Sequence, residues 1–172
     1  NPFGFITHVN EHVYVFWGIC VRYGVHLFRG GKDMKKDVLI TLVGTQNNDG
    51  EKDKIELITE GSMYKKGDAY YITYKESELT GMDGTTTTVK VQDKKVTILR
   101  FGTNNTQLIF EKGKHHVCCY DTMYGAISVG VWAQNVKIDL DDNGGEIFAN
   151  YSIDVDNNLV GKNDFHMQVK EC

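Results

Sequence analysis

Arg100 closes the stretch "VTILR" and is the residue best suited to chemistry in this chain. Its guanidinium presents a planar fork of N–H donors that grips a carboxylate or phosphate with two hydrogen bonds. Val96, Ile98 and Arg100 recur at a spacing of two. In a β-strand that spacing puts all three on one face, so the arginine shares the apolar face. A charge facing a core needs partners, because an unpaired one is costly to bury. Carboxylates and hydroxyls that could supply them are Glu60, Glu76, Tyr74, Tyr120 and Tyr124. Together with Arg100 these six form the candidate ligand-binding set. The competing reading is a structural ion pair, or an arginine at the rim of the fold.

Other chemical motifs are weaker. His115 and His116 precede Cys118 and Cys119, but neighbours on a strand point to opposite faces. That leaves at most two ligands per face, short of the four a structural zinc site uses, so no metal is expected. "DLDDNG" imitates the start of a calcium loop, yet the twelfth position is Asn150 rather than glutamate and the flanks read as strands. A hairpin turn accounts for the same letters. The run Thr85 to Thr88 suits a strand by β-propensity, and its hydroxyls could line one wall of a pocket. There is no phosphate-cradling glycine loop, no G-x-S-x-G elbow and no H-E-x-x-H helix. No catalytic residue and no cofactor is expected.

The elements that must position these residues are strands. "KIELITEGSMY" places Ile55, Leu57, Thr59, Gly61 and Met63 on one face, and Glu56, Glu60 and Ser62 on the other. "TTTTVKVQDKKVTILRFG" reads as two strands joined by a tight polar turn at 92–95. "AISVGVWAQNVKIDL" is a long strand whose apolar parity changes between Ala133 and Val136, which predicts a bulge near Gln134 and Asn135. "DDNGG" and "DNN" are turns, and "EIFANYSIDV" and "LVGKNDFHMQVK" alternate between them. After Asp37 there is no proline, which suits long paired strands. The pattern predicts an all-β fold: a single closed antiparallel β-barrel of about 8–10 strands, since closure removes exposed edges.

Composition agrees with one globular domain. The chain has 172 residues, 41% hydrophobic and 24% charged, with a net charge of −4. That balance argues against nucleic acid or an anionic membrane as partner. Four cysteines without a C-x-x-C pair, two of them adjacent, point to reduced thiols and a cytoplasmic setting. Residues 1–33 differ from the rest. Residues 12–28 are apolar, but the run falls short of the about 20 residues a membrane span needs and contains His12, Arg22 and His26. It also lacks the charged opening and small-residue site of a signal peptide. The β-pattern begins after Met34, and Arg29-Gly30-Gly31 can be encoded by purine-rich codons like a ribosome-binding site. Residues 1–33 are therefore expected to be a translated leader, loose and poorly packed, with a genuine N-terminal extension that packs on the barrel as the alternative, and residues 34–172 the barrel domain.

The strings "ITEGSMYKKGDAYYITYKESELTGMDGTTTTVKV", "VTILRFG" and "YDTMYGAISVGVWAQNVKIDL" resemble the YwiB-like family of small bacterial proteins. The resemblance runs from about residue 36 to 170. It implies a calycin-like (lipocalin-like) barrel in the bacterial cytoplasm, and it implies no activity. Gly130-Val131-Trp132 matches the lipocalin Gly-x-Trp letters on a late strand instead of the first, which reads as chance. The expected function is a barrel that binds a small, partly apolar or anionic ligand. The alternatives are a protein-interaction or structural barrel with a filled lumen, such as a homodimer, and, further off, an enzyme.

Overall fold

The computed structural model describes residues 35–172 apart from 49, 103–104 and 123–124, and gives the backbone alone at 48 and 119–122. The expectations for residues 1–33 lie outside the described residues.

Among the described residues ten strands form one antiparallel sheet. They are β1 (Lys36–Asn48), β2 (Glu51–Lys66), β3 (Ala69–Lys75), β4 (Thr85–Gln92) and β5 (Lys95–Gly102). They continue as β6 (Thr106–Glu111), β7 (His115–Thr122), β8 (Gly125–Asp141), β9 (Gly144–Val155) and β10 (Asn158–Glu171). The order around the sheet is β6-β5-β4-β3-β2-β1-β10-β9-β8-β7, so every neighbour is consecutive in sequence except β1 with β10. That one pairing joins the first strand to the last, from Val38 opposite Glu171 to Asn47 opposite Lys162. The sheet then curls until β6 packs against β7 and β8. The seam carries no strand ladder among the described residues; Gly113 N–H donates to the Ala133 carbonyl at 2.9 Å there. The barrel is thus nearly closed, and packing completes it where hydrogen bonds stop.

The alternation read from the sequence is the alternation of burial. Val96, Ile98 and Arg100 on β5 face inward with Val89 and Val91 on β4. Ile147, Ala149, Tyr151 and Ile153 on β9 do the same, as do Phe165, Met167 and Val169 on β10. The turn at Asp93-Lys94 joins β4 to β5, with Asp93 at φ 54°. Asp156 and Asn157 both have positive φ, as a two-residue hairpin turn matched to strand twist requires. The bulge falls between Ala133 and Asn135, where the parity change put it. The only helical element among the described residues is a 3-10 turn at Glu78–Thr80. It lies in the connection from β3 to β4, which sends Met82 into the core at the end of the barrel that also holds Glu76 and Thr85.

At the other end, the turn after β8 is pinned by charge. Tyr70 hydroxyl donates to Asp142 at 2.7 Å, and Lys65 Nζ lies 3.2 Å from the same oxygen. The hydrogen bond from Tyr70, then that from Lys65, holds the Asp142 carboxyl below its usual value near 3.8. A depressed acid stabilises the fold above its unfolded value, and that contribution is lost as pH falls through the folded value. A carbon-detected titration should place Asp142 below 3.8, and Tyr70→Phe should move it back upward. A wild-type value at or above the ordinary one would contradict this contact.

Candidate polar site in the barrel lumen

One lateral row of inward side chains crosses β3 to β6. Register places Tyr74 opposite Thr87, Thr87 opposite Arg100, and Arg100 opposite Thr106. Glu76 sits two residues beyond Tyr74, hence on the same inward face. Arg100 Nε lies 3.6 Å from Glu76 Oε1, and Arg100 Nη1 reaches Thr106 Oγ1 at 3.4 Å. Thr87 Oγ1 donates to Glu76 Oε1. Arg100 is 2% exposed and Glu76 6%. Opposite charges removed from water to this degree need each other, since taking either away strands its partner. Gly61, opposite Tyr74 on β2, makes the row possible: a Cβ there would come 2.6 Å from Ile40 Cδ1 and from the Thr73 carbonyl.

A second inward row crosses β1, β10, β9 and β8, with Gln46 opposite Asn163, Asn163 opposite Tyr151 and Tyr151 opposite Ala133. The Tyr151 ring of this row meets Phe110 of β6 at 4.5 Å, which joins the two walls across the lumen. Burial raises the hydroxyls of Tyr74 and Tyr151 far above the ordinary tyrosine value. At Tyr74 the Glu76 charge adds to this and Arg100 opposes it; at Tyr151 Arg100 opposes it and Asp164 adds to it. Both phenols therefore stay protonated and neutral at any working pH. Glu76 Oε2, Ser77 Oγ and Asn163 Nδ2 are buried polar atoms that meet no hydrogen-bonding partner among the described residues.

Beneath this polar layer the lumen is filled by apolar side chains. The Phe110 ring lies 4.5 Å from the Tyr151 ring and 5.9 Å from that of Phe165. Ile72, Val89, Ile98, Ile147 and Met167 have no exposed surface. In the polar layer Gln46, Glu76, Thr106 and Asn163 keep 4–6% exposure, and Leu57 among the apolar residues keeps 5%.

The structure brings Arg100, Tyr74 and Glu76 together, as the sequence suggested. It does not bring Glu60. That carboxylate is exposed on the outer face of β2, because side chains alternate and Gly61 takes the inward position beside Tyr74. Tyr120 lies on β7 opposite Ile127, with its side chain outside the described residues, and Tyr124 lies outside them entirely. Of the threonine run, Thr85 and Thr87 face inward, while Thr88 bonds to Thr73 on the outer surface at 3.1 Å. Sequence reasoning missed Asn163 and Tyr151. The signal was present: both occupy inward positions in strands that otherwise carry apolar residues there.

The histidines point elsewhere. His115 Nε2 bonds to Asp154 Oδ2 at 2.6 Å, and His116 Nε2 lies 3.2 Å from Glu111 Oε2. The His115 bond crosses over Gly130, which pairs with Val117 on one side and Asp154 on the other. A Cβ at Gly130 would fall 2.2 Å from His115 Nε2 and 2.4 Å from Asp154 Oδ2. Gly130 therefore has a packing reason on this outer face, beside a Trp132 that is 43% exposed. Gly130→Ala should open the His115–Asp154 bond and cost about 1 kcal/mol. In an Asp154→Ala background most of that cost should vanish; full additivity in urea denaturation of the single and double variants would contradict the contact. The "DLDDNG" letters form a hairpin turn in which Asn143 N–H donates to Asp141 Oδ1 at 2.7 Å. An open groove of about 570 Å³ runs beside it, lined by residues that include Asp139, Asp141, Glu146 and Glu171.

A nearly closed ten-stranded antiparallel barrel with a buried polar layer defines the class of protein. The family model described as a domain of unknown function (DUF1934) matches residues 40–167, and the chain belongs to that family. It is 28% identical over 124 residues to the uncharacterized β-barrel protein YwiB of Bacillus subtilis (strain 168), across 71% of this chain and 86% of that protein. The crystal structure of the ywiB protein from Bacillus subtilis superposes with a TM-score of 0.70 at 21% identity, over 80% of this chain and 93% of that one. This likeness supports the barrel.

Proposed function

We propose that the barrel is a binding protein for a small, partly apolar molecule, held in the polar layer around Arg100, Glu76 and Tyr74. The observation that carries this reading is Glu76 Oε2. It belongs to a carboxylate 6% exposed, lies beside a buried guanidinium, and accepts no hydrogen bond among the described residues. Leaving such an acceptor unsatisfied costs about 1–3 kcal/mol, more when charged. A ligand that donates to it recovers that cost. A barrel of this size has room for one small ligand at most, and here the filled apolar half restricts it to the polar end. We place the protein in the cytoplasm, in keeping with its composition; no helix among the described residues is long and apolar enough to cross a membrane.

Native mass spectrometry of protein purified from its host tests the reading. A bound small molecule is expected, lost on Glu76→Gln substitution. Bare protein in every preparation would count against it.

One observation favours a second reading. Apolar inward residues from Val38 to Val169 are at most 1% exposed over much of the barrel. That is how a lumen filled for stability looks, with the ion pair as part of the core. Such a protein would act through its outer surface, as a homodimer or with another protein, and gel filtration with copurification would reveal it.

A further inference from the structure

Resting on the homodimer of the second reading above, we infer that two copies of this chain meet through the outer face of β2, β1 and β10, related by a two-fold axis that runs along β1. Such a dimer is compatible with a filled lumen and with a bound ligand. The centre of the face is apolar. Leu39, Thr41 and Val43 point outward along β1, and Ile58 stands opposite Thr41 on β2. Leu39 is 40% exposed and Ile58 63%, although both lie within long strands rather than in turns. Clustered apolar surface of this kind, rimmed by charge, suits a protein partner.

Charge decides which partner. Each outward residue of β1 has one neighbour on β2 and one on β10 at the same height. Leu39 lies between Glu60 and Lys170, Thr41 between Ile58 and Gln168, Val43 between Glu56 and His166, and Thr45 between Lys54 and Asp164. A two-fold axis along β1 lays the β2 flank of one copy on the β10 flank of the other, row upon row. Glu60 then meets Lys170 of the second copy, Glu56 meets His166 and Lys54 meets Asp164, while Leu39, Thr41 and Val43 meet their own counterparts. An axis across the strands, centred on Thr41, would instead set Glu56 against Glu60, a like-charge contact. Lys54 pairs with Glu56 at 3.3 Å and His166 with Glu146 at 3.5 Å inside one chain, so Glu60 and Lys170 carry the match. Both are exposed, and neither has an ion-pair partner among the described residues. The matched rows cover about 20 Å along the strands and about 15 Å across, less than a standard interface, so the dimer is expected to be weak.

Sedimentation equilibrium of the full chain, from about 10 μM to about 500 μM, tests this. A monomer–dimer equilibrium is expected. Glu60→Lys or Lys170→Glu alone sets like charges opposite each other twice and should weaken the dimer about tenfold. Combining the two exchanges the flanks and should bring the affinity back to within about threefold of the wild type. A chain that stays monomeric throughout overturns the proposal and leaves the face to another partner. A dimer indifferent to both reversals overturns the face while the homodimer itself stands, and a loss that the double variant does not recover overturns the Glu60–Lys170 match. Should a variant fail to fold, a concentration series of amide NMR spectra on the wild-type chain still decides. Shifts should gather at Leu39, Ile58 and Lys170, and shifts confined to other strands would contradict the face.

Discussion

Arg100→Ala is expected to lower stability by about 3–5 kcal/mol, because it leaves the Glu76 carboxylate buried without its counter-charge. The geometry explains the size of the effect. Arg100 and Glu76 are among the most buried polar side chains, 2% and 6% exposed, so water cannot replace the lost guanidinium without entering the core. Thr106, which accepts from Arg100 at 3.4 Å, loses a partner as well. The same argument predicts a non-additive rescue. Replacing both members of the pair, as in Arg100→Met with Glu76→Leu, removes the stranded charge and should recover most of the loss, since a buried pair is often no better than apolar residues of similar volume. Urea denaturation of the two single variants and the double variant measures the coupling. Additive losses would show that the two groups do not depend on each other.

The second large effect is expected at Phe110. Phe110→Ala should cost about 3–5 kcal/mol, the usual range for emptying a buried aromatic position. Phe110 has no exposed surface, and its ring touches those of Tyr151 and Phe165 across the lumen. It also stands on β6, the strand that meets β7 and β8 at the seam without a ladder. A hydrogen-bonded seam would hold without this ring; a packed seam depends on it. Amide hydrogen exchange should therefore show β6 opening first in Phe110→Ala. A loss under about 1 kcal/mol in urea would mean the seam is held by other contacts.

Much of the fold is legible in the sequence because a two-residue period with one apolar face leaves little choice of register. The alternation in "EIFANYSIDV" and "VTILR", the parity change at Gln134 and the polar two-residue turns each reappear at the expected place. The seam is not legible. Whether β6 and β7 share hydrogen bonds depends on how far the whole sheet curls, which no local pattern reports. The candidate site is half legible. Arg100, Glu76 and Tyr74 follow from parity within adjacent strands, because β3, β4 and β5 are neighbours in sequence and in space. Asn163 and Tyr151 come from strands at the far end of the chain, and only the β1–β10 closure brings them around. Glu60 has the right charge but the wrong parity, and its place on β2 leaves it exposed on the outer face.

The arginine also shows why residue type alone misleads about ligand charge. Read alone, Arg100 suggests an anion. Read with Glu76 beside it, the guanidinium already faces a buried carboxylate at 3.6 Å. That distinction decides which molecules are worth testing.

The most direct measurement is a high-resolution crystal structure of protein taken from its own cells, inspected at Glu76 Oε2 and Asn163 Nδ2. Density of a small organic molecule is expected at one or both of these atoms, with the Arg100–Glu76 contact intact. A single ordered water, or a protein side chain closing both positions in a filled lumen, would contradict it.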